Sequence, residues 1–236
     1  MGTAFVIATT PVLVPGNMCD GRLWTADVRA ALPGAVDADT TADSSIEGMA
    51  RRALVLNDGP LLPIGYSMGG NVALEIARIA PERVNGLVLI DINASADLPD
   101  RAKARPRQQG QALGGELERL IVEELKPNYL AHANRSNQRL LELLLRMALE
   151  LGEAVFVAQS EALRTRRDLR EVAARLDVPV LVACGSEDRL CPPAWHRELA
   201  ESARRATLKV IDGAGHMLPL EQPKKLAAAI GQWRMP

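Results

Sequence analysis

A serine held between two glycines is the residue of this chain best suited to nucleophilic chemistry. Residues 65–69 read Gly65-Tyr66-Ser67-Met68-Gly69, after an apolar run at 61–64 and before a helix-like stretch at 71–77. Glycines on both sides of the serine permit a sharp strand-to-helix turn in which the backbone folds closely against itself. Such a turn lifts the hydroxyl above the sheet and points a helix N-terminus at the same place. The pattern therefore predicts that Ser67 is a nucleophile, provided that the chain also supplies a base.

The chain contains three histidines that could serve as this base, and their surroundings differ. His216 follows a predicted strand at 208–211 and lies in a glycine-containing loop, so its imidazole could reach the carboxyl edge of a sheet, where α/β proteins bind ligands. His132 lies within a helical segment, and His196 lies in the middle of a predicted helix, where we expect a surface position. We predict that His216 takes the proton from Ser67.

A carboxylate must then hold the imidazole in one tautomer and stabilise the imidazolium ion. Asp188 directly follows a predicted strand at 180–184, whereas Asp91 ends a strand at 87–90 and is expected to cap or brace the loop after it. Glu187 is adjacent to Asp188 but lies one position away from the favoured place for the carboxylate. The order serine, aspartate, histidine along the chain favours Asp188.

Two backbone N–H groups beside the nucleophile would stabilise a negatively charged oxygen in the transition state. Met68 supplies one of them, because it begins the helix after the serine. The loop at 15–18, which follows a predicted strand at 12–14, brings a second segment of backbone close. The N–H of Asn17 is the predicted second donor.

Strands alternate with helices in residues 1–92 and 178–236, which predicts an α/β fold with a doubly wound, mostly parallel sheet. Residues 93–177 show no strand pattern. Apolar residues instead recur at three- and four-residue spacing in 116–125, 136–151 and 153–164, as in amphipathic helices. We predict a helical insertion at 93–177 that lies over the sheet.

The composition favours neither a nucleic acid nor a membrane as partner. The net charge is −1, so no strong field would attract a polyanion, and no apolar run is long enough to span a bilayer. No basic segment precedes the apolar residues near the N-terminus, so a secretion signal is not expected. Cys19, Cys184 and Cys191 lack metal-ligand spacing and are predicted to be reduced thiols of a cytoplasmic protein.

The basic segment at 101–107 is expected to be a solvated entry to the insertion. A second basic group, formed by arginines within 164–170, lies at the exit of the insertion, and the two groups together could dock an acidic carrier protein. The sequence does not decide whether the protein forms a homodimer.

Four blocks of sequence, at 13–20, 65–74, 185–188 with Pro192, and 213–223, resemble the α/β-hydrolase superfamily. They are similar in particular to small bacterial carboxylesterases of the pimeloyl-carrier-protein methyl ester esterase and lactonase type. The resemblance implies the α/β-hydrolase fold and makes the insertion its cap. The chain departs from the family in having Pro15-Gly16 where His-Gly is common, and in leaving room for at most one short strand in place of an N-terminal hairpin. A serine nucleophile argues against a haloalkane dehalogenase.

The expected function is hydrolysis of a small or medium carboxylic ester through an acyl-enzyme, with no metal or organic cofactor. The pocket under the cap is expected to be lined by leucine, methionine and a few aromatic residues, with Met18, Met147 and Phe156 as candidates. A lactonase or a carbon–carbon bond hydrolase would use the same three residues. A non-catalytic ligand-binding protein with this fold is a further alternative.

Overall fold

Six parallel strands form one sheet in a computed structural model that describes residues 9–125 and 128–234. The strands lie in the order β2-β1-β3-β4-β5-β6, so the chain starts near one edge, reverses direction across the sheet and ends at the other edge. This confirms the predicted doubly wound α/β architecture. The strands are β1 (Thr10–Val14), β2 (Val36–Asp37), β3 (Leu61–Tyr66), β4 (Leu87–Ile90), β5 (Val180–Gly185) and β6 (Ala206–Ile211).

Helices cover both faces of the sheet, which explains why the central strands are continuous apolar runs. All residues of β3, β4 and β5 are buried. Successive side chains point to opposite faces. Thus Val12 and Val14 belong to the hydrophobic cluster on one side, and Leu13 belongs to the cluster on the other side.

Six α-helices in the described residues belong to the sheet-forming segments. They are α1 (Ala26–Ala30), α2 (Ile46–Leu54), α3 (Met68–Ile79), α8 (Pro193–Ser202), α9 (Leu218–Glu221) and α10 (Pro223–Arg234). The last two of these helices are separated at Gln222, because the following proline disfavours a helical conformation of the residue before it. A short helical turn, Gly21–Leu23, precedes α1 and is separate from it, since Thr25 between them is extended.

Regular structure between β4 and β5 is helical in the residues described there, 91–125 and 128–179. It comprises α4 (Pro99–Gln111), α5 (Leu117–Leu120), α6 (Gln138–Arg164) and α7 (Arg170–Arg175), with wider helical turns at Ala112–Glu116 and Ile121–Leu125. Gly152 in α6 has φ 79° and is not helical, which agrees with the predicted division into 136–151 and 153–164. The expectation about an N-terminal hairpin falls on residues 1–8, outside the described part.

No described helix is both long and apolar enough to cross a bilayer.

Close backbone packing at the start of α3 generates a stability prediction. A Cβ on Gly65 would lie 2.2 Å from the carbonyl oxygen of Gly69, whereas a Cβ on Gly110 in α4 would meet no described atom within 4 Å. Gly65→Ala is expected to lower the free energy of unfolding by about 3 kcal/mol through overpacking. Gly110→Ala should raise it by roughly 0.5–1 kcal/mol, because alanine favours a helix. Urea denaturation measures both, and equal stability of the two variants would contradict this packing.

Candidate active site

Ser67 lies in a strained turn at the carboxyl end of β3. Its backbone has φ 50° and ψ −114°, a conformation that a non-glycine residue adopts only when the surrounding structure enforces it. The Ser67 N–H donates to the carbonyl of Ile90 at 2.8 Å, and its carbonyl accepts from the N–H of Gly70 at 2.9 Å. These bonds fix the turn between β4 and the first residues of α3, so the side chain projects from the edge of the sheet.

The structure brings the three predicted side chains into one hydrogen-bonded chain. The His216 Nε2 atom lies 3.0 Å from Ser67 Oγ, and its Nδ1 atom lies 2.8 Å from Asp188 Oδ2. When Nδ1–H donates to the carboxylate, Nε2 is left to accept the serine hydroxyl proton. Asp188 and His216 are only 3% and 5% exposed, so water does not compete strongly for these bonds.

Asp188 is held in its ionised form. Burial alone would raise its pKa, but the charge and hydrogen bond of His216, together with the N–H of Cys191, outweigh burial and hold the pKa below its usual value. Oδ1 accepts from the N–H groups of Leu190 at 2.8 Å and Cys191 at 2.9 Å. The carboxylate is thereby fixed on both oxygens and presents a negative charge to the imidazole.

Asp91, the alternative carboxylate, has a different position. It is fully buried, and its two oxygens accept from the N–H of Gly185 at 3.0 Å and of Leu218 at 3.2 Å. Burial, followed by the nearby Asp188 charge, raises its pKa well above the usual value. It joins the end of β5 to the start of α9, and thus braces the loops that carry Asp188 and His216. Glu187 is exposed and accepts from the N–H of His132.

The surface position expected for His196 is wrong. The side chain is fully buried, its Nε2 accepts from the N–H of Ile92 at 2.9 Å, and its Nδ1 lies 3.2 Å from the carbonyl of Pro192. Helix α8 buries the face that carries His196 and Leu199. Since these residues are three positions apart, helical periodicity could have shown that they share a face.

The loop after β1 approaches the nucleophile closely. A Cβ on Gly16 would lie 2.7 Å from the ring of Tyr66 and 3.2 Å from Ser67 Cβ, which places the backbone of Asn17, the next residue, beside the serine. Met68 begins α3, and the first N–H groups of a helix have no partner within it. Both predicted oxyanion donors are therefore on segments that border Ser67.

A buried glutamine of the insertion holds this loop, and sequence analysis missed it. The Gln159 Oε1 atom accepts from the N–H of Met18 at 2.7 Å and from Asn17 Nδ2 at 3.2 Å. Its Nε2 atom donates to the carbonyl of Thr40 at 3.1 Å. Met18 has φ 52°, so a hydrogen bond at its N–H helps to maintain an unfavourable conformation. The only sequence feature that could have pointed to this role of Gln159 is its position as a polar residue within the apolar face of α6.

A cavity of about 480 Å³ contains Ser67 and His216, and its lining combines leucine, methionine and tyrosine side chains with many polar ones. Charged and amide side chains make up half of the lining residues: Asn17, Asn71, Asn93, Asp97, Asp100, Arg101, Arg105, Gln108, Glu124, Asn128, Arg166 and Arg189. Met18, Met147 and Phe156 are buried in hydrophobic clusters and do not line it. Arg101 and Arg105 in this lining also correct the expectation that the whole basic segment 101–107 is solvated.

One group of potential metal ligands occurs in the described residues, and it overlaps the same site. Donor atoms of Asp188, Cys191 and His216 lie within 4.8 Å of one another. Asp188 and His216 already bind each other, and burial raises the pKa of the Cys191 thiol well above its usual value. A protonated thiol is a poor metal ligand, so this group fits proton transfer better than metal binding.

The sheet and the serine–histidine–aspartate arrangement at its carboxyl edge define an α/β hydrolase. The sequence profile of the family described as serine aminopeptidase, S33, matches residues 37–223. The chain belongs to this family of α/β hydrolases and is related to esterases.

Relatives and solved structures agree with this assignment. Over 217 residues the chain is 30% identical to a pimeloyl-(acyl-carrier protein) methyl ester esterase of Neisseria meningitidis, covering 84% of this chain and 78% of the relative. A thermophilic esterase from Thermogutta terrifontis superposes with a TM-score of 0.88 at 26% identity, covering 96% of this chain and 89% of that one. The enol-lactonase of Burkholderia xenovorans LB400 has the same fold, with a TM-score of 0.83 at 21% identity over 100% of this chain and 94% of its own.

The buried histidine of α8 generates a pH prediction. Burial lowers the pKa of His196 to about 4, whereas the unfolded chain has the ordinary value of about 6.5. Between these values the unfolded state binds the proton and the folded state does not, so His196 destabilises the fold as the pH falls. The effect amounts to about 3 kcal/mol between pH 6.5 and pH 4.

His196→Gln retains an acceptor for the Ile92 N–H but does not titrate. The stability difference between wild type and His196→Gln, measured by urea denaturation, should therefore shift against the wild type by about this amount over that pH range. His132→Gln, at an exposed histidine, is the matched control and should show no comparable shift. A pH-independent difference for His196→Gln would contradict the assignment.

Proposed function

We propose that the protein is a serine hydrolase that cleaves a small or medium carboxylic ester through an acyl-enzyme intermediate. The observation that carries this proposal is the continuous chain of hydrogen bonds from Ser67 Oγ through His216 to Asp188. Its order and geometry are those of a nucleophile, a general base and an orienting carboxylate.

Ser67 Oγ attacks the ester carbonyl while His216 Nε2 takes its proton. The tetrahedral oxygen receives hydrogen bonds from the N–H groups of Asn17 and Met68, and loss of one such donor costs about 3 kcal/mol of transition-state stabilisation. The imidazolium, stabilised by Asp188, then protonates the leaving alcohol. Water, activated by the same imidazole, hydrolyses the acyl-enzyme and regenerates Ser67.

The proposal includes a cap formed by residues 93–177, which contribute much of the cavity lining next to the nucleophile. A cytoplasmic location is also proposed, because the three cysteines are buried and unpaired.

A lactonase is a second candidate, since a lactone carbonyl would meet the same groups; a carbon–carbon bond hydrolase would need the same three residues. A non-catalytic role would not account for the alignment of Ser67 with His216. Substrate profiling separates these alternatives.

Docking of an acidic carrier protein gains little support from the basic group at 164–170. Each arginine of this group has an acidic partner in the structure: Arg164 pairs with Glu161, Arg166 with Asp97, Arg167 with Glu47 and Arg170 with Asp168. A pimeloyl-carrier-protein ester as substrate, as in the Neisseria relative's name, would therefore need another docking surface.

The proposal is tested by replacing the nucleophile. Ser67→Ala should lower kcat for p-nitrophenyl acetate and butyrate by about 10⁴-fold or more, because no other group can form the acyl-enzyme. A fluorophosphonate should label Ser67 in the wild type, as mapped by mass spectrometry. Ser202→Ala, at a serine that bonds only the end of α8, should retain full activity. An unlabelled Ser67, or esters that are not turned over, would refute the proposal.

The oxyanion loop generates a second prediction. Gln159→Leu removes the acceptor that holds the Met18 N–H, so the Asn17 N–H should lose its alignment and kcat should fall by roughly 10- to 100-fold with little change in KM. Gln109→Leu is the matched control, because Gln109 donates to Ser160 Oγ within the insertion and not to the loop at 15–18. Thermal unfolding establishes that both variants are folded. Equal kcat values for the two variants would show that Gln159 does not position the loop.

A further inference from the structure

Helix α4 turns one side of the basic segment towards the nucleophile. Arg101 and Arg105 are four residues apart, so they share a helix face. Both are half-buried, and both line the cavity that contains Ser67. Lys103 and Arg107, between and beyond them, are exposed. The segment therefore presents two guanidinium groups to the reaction site and its other charges to solvent.

The two inward arginines differ in how their charge is balanced. Arg105 pairs with Asp97 at 2.6 Å, and Asp97 also pairs with the buried Arg166 at 2.9 Å. One carboxylate thus serves two guanidinium groups. Glu124, another acid of the cavity lining, pairs with Arg107 at 2.8 Å. Asp100 is exposed in the first turn of α4.

Arg101 has no such partner. Its Nη2 atom donates to the carbonyl of Leu190 at 3.0 Å, and within residues 9–125 and 128–234 no carboxylate lies at ion-pair distance from it. A carbonyl engages one of the five N–H donors of a guanidinium and leaves its charge uncompensated. In a partly buried position, such a charge favours an anionic ligand.

This charge acts close to the reacting groups. Burial raises the pKa of Tyr129 and of Cys191, and the positive charge of Arg101 opposes both rises. The carbonyl of Tyr129 accepts from the N–H of His216 at 2.7 Å, and the N–H of Cys191 donates to Asp188 at 2.9 Å. Arg101 therefore acts on two residues, Tyr129 and Cys191, that line the same cavity as His216 and contact the histidine–aspartate pair through their backbone.

Two unpaired amide atoms show that the same cavity suits a polar ligand. Asn71 Oδ1 and Asn93 Nδ2 are buried and have no hydrogen-bond partner among the described residues. Both residues line the cavity, and Asn71 is only 2% exposed. Buried polar atoms without partners are unfavourable, so a purely aliphatic substrate would leave these groups unsatisfied. Asn93 Nδ2 is a donor from which a carboxylate or carbonyl oxygen could accept, whereas Asn71 Oδ1 is an acceptor and would need a hydroxyl or a water molecule.

We propose that the substrate is an ester or lactone that carries a carboxylate, which Arg101 binds while the ester carbonyl lies at Ser67. This inference rests on the hydrolase function proposed above and names its substrate class. A carboxylate suits the planar guanidinium, which can bind it through two parallel hydrogen bonds. The cavity volume of about 480 Å³ is at the lower end of the range for small-molecule sites.

The test compares esters that differ only in charge. Monomethyl succinate, glutarate and adipate carry a carboxylate at increasing distances from the ester, and the methyl esters of the corresponding monoamides are their neutral analogues. Methanol release gives kcat/KM for each pair. The wild type should prefer the carboxylate by roughly 10- to 100-fold for at least one length, as expected for a charge-assisted hydrogen bond.

Variants on α4 assign the preference to a residue. Arg101→Gln should reduce the ratio of carboxylate to amide kcat/KM to about 1, and Arg101→Lys should restore part of it, because the lysine keeps the charge but not the planar fork. Lys103→Gln, on the exposed side of the same helix, should leave the ratio unchanged. A wild-type ratio near 1 for all lengths, or a preference that survives in Arg101→Gln, would overturn the proposal.

A second readout does not depend on turnover. Butanoate should slow fluorophosphonate labelling of wild-type Ser67 at concentrations where butanamide does not, and this difference should disappear in Arg101→Gln. Equal protection by the acid and the amide would overturn the carboxylate site. Absence of labelling and of all ester hydrolysis would instead refute the underlying hydrolase function, so the two failures are distinguishable.

Discussion

Close packing of backbone around Ser67 is the constraint on which the site depends. A Cβ on Gly69 would lie 2.1 Å from the carbonyl oxygen of Val14, and one on Gly65 would lie 2.2 Å from that of Gly69. Helix α3 therefore begins directly against β1 and β3, which forces Ser67 into its positive φ. Because the turn is fixed on both sides, the hydroxyl, the N–H of Met68 and the loop at 15–18 meet in one place, and no large rearrangement is needed before reaction.

Buried polar side chains then join the separate loops that complete the site. Asp91 binds the backbone at Gly185 and Leu218, and Gln159 binds the loop after β1 to the insertion. Glu221 does the same for the histidine loop: its carboxylate accepts from the N–H groups of Gly215 at 2.7 Å and Ala131 at 2.8 Å. Each group replaces solvent as the partner of loop backbone, and so fixes loops whose own sequence would leave them free.

The predictions that succeeded depended on local sequence. The glycines around Ser67 permit a tight turn by their own conformational freedom, and alternating strands and helices favour a parallel sheet. Three features could not be predicted in the same way: the buried position of His196, the hydrogen bonds of Gln159 to the loop at 15–18, and the polarity of the cavity. Each of them depends on which distant segment packs against it. Arg101 and Arg105 lie between these cases: their spacing predicts a shared helix face, but only the fold shows that this face turns towards Ser67.

The most direct test of the account is a crystal structure of the protein inactivated by a small alkyl fluorophosphonate. The account predicts a covalent bond from phosphorus to Ser67 Oγ, with the phosphoryl oxygen about 2.7–3.1 Å from the backbone nitrogens of Asn17 and Met68. The imidazole of His216 should stay bonded to Asp188. A phosphonate on another residue, or a phosphoryl oxygen turned away from both nitrogens, would contradict it.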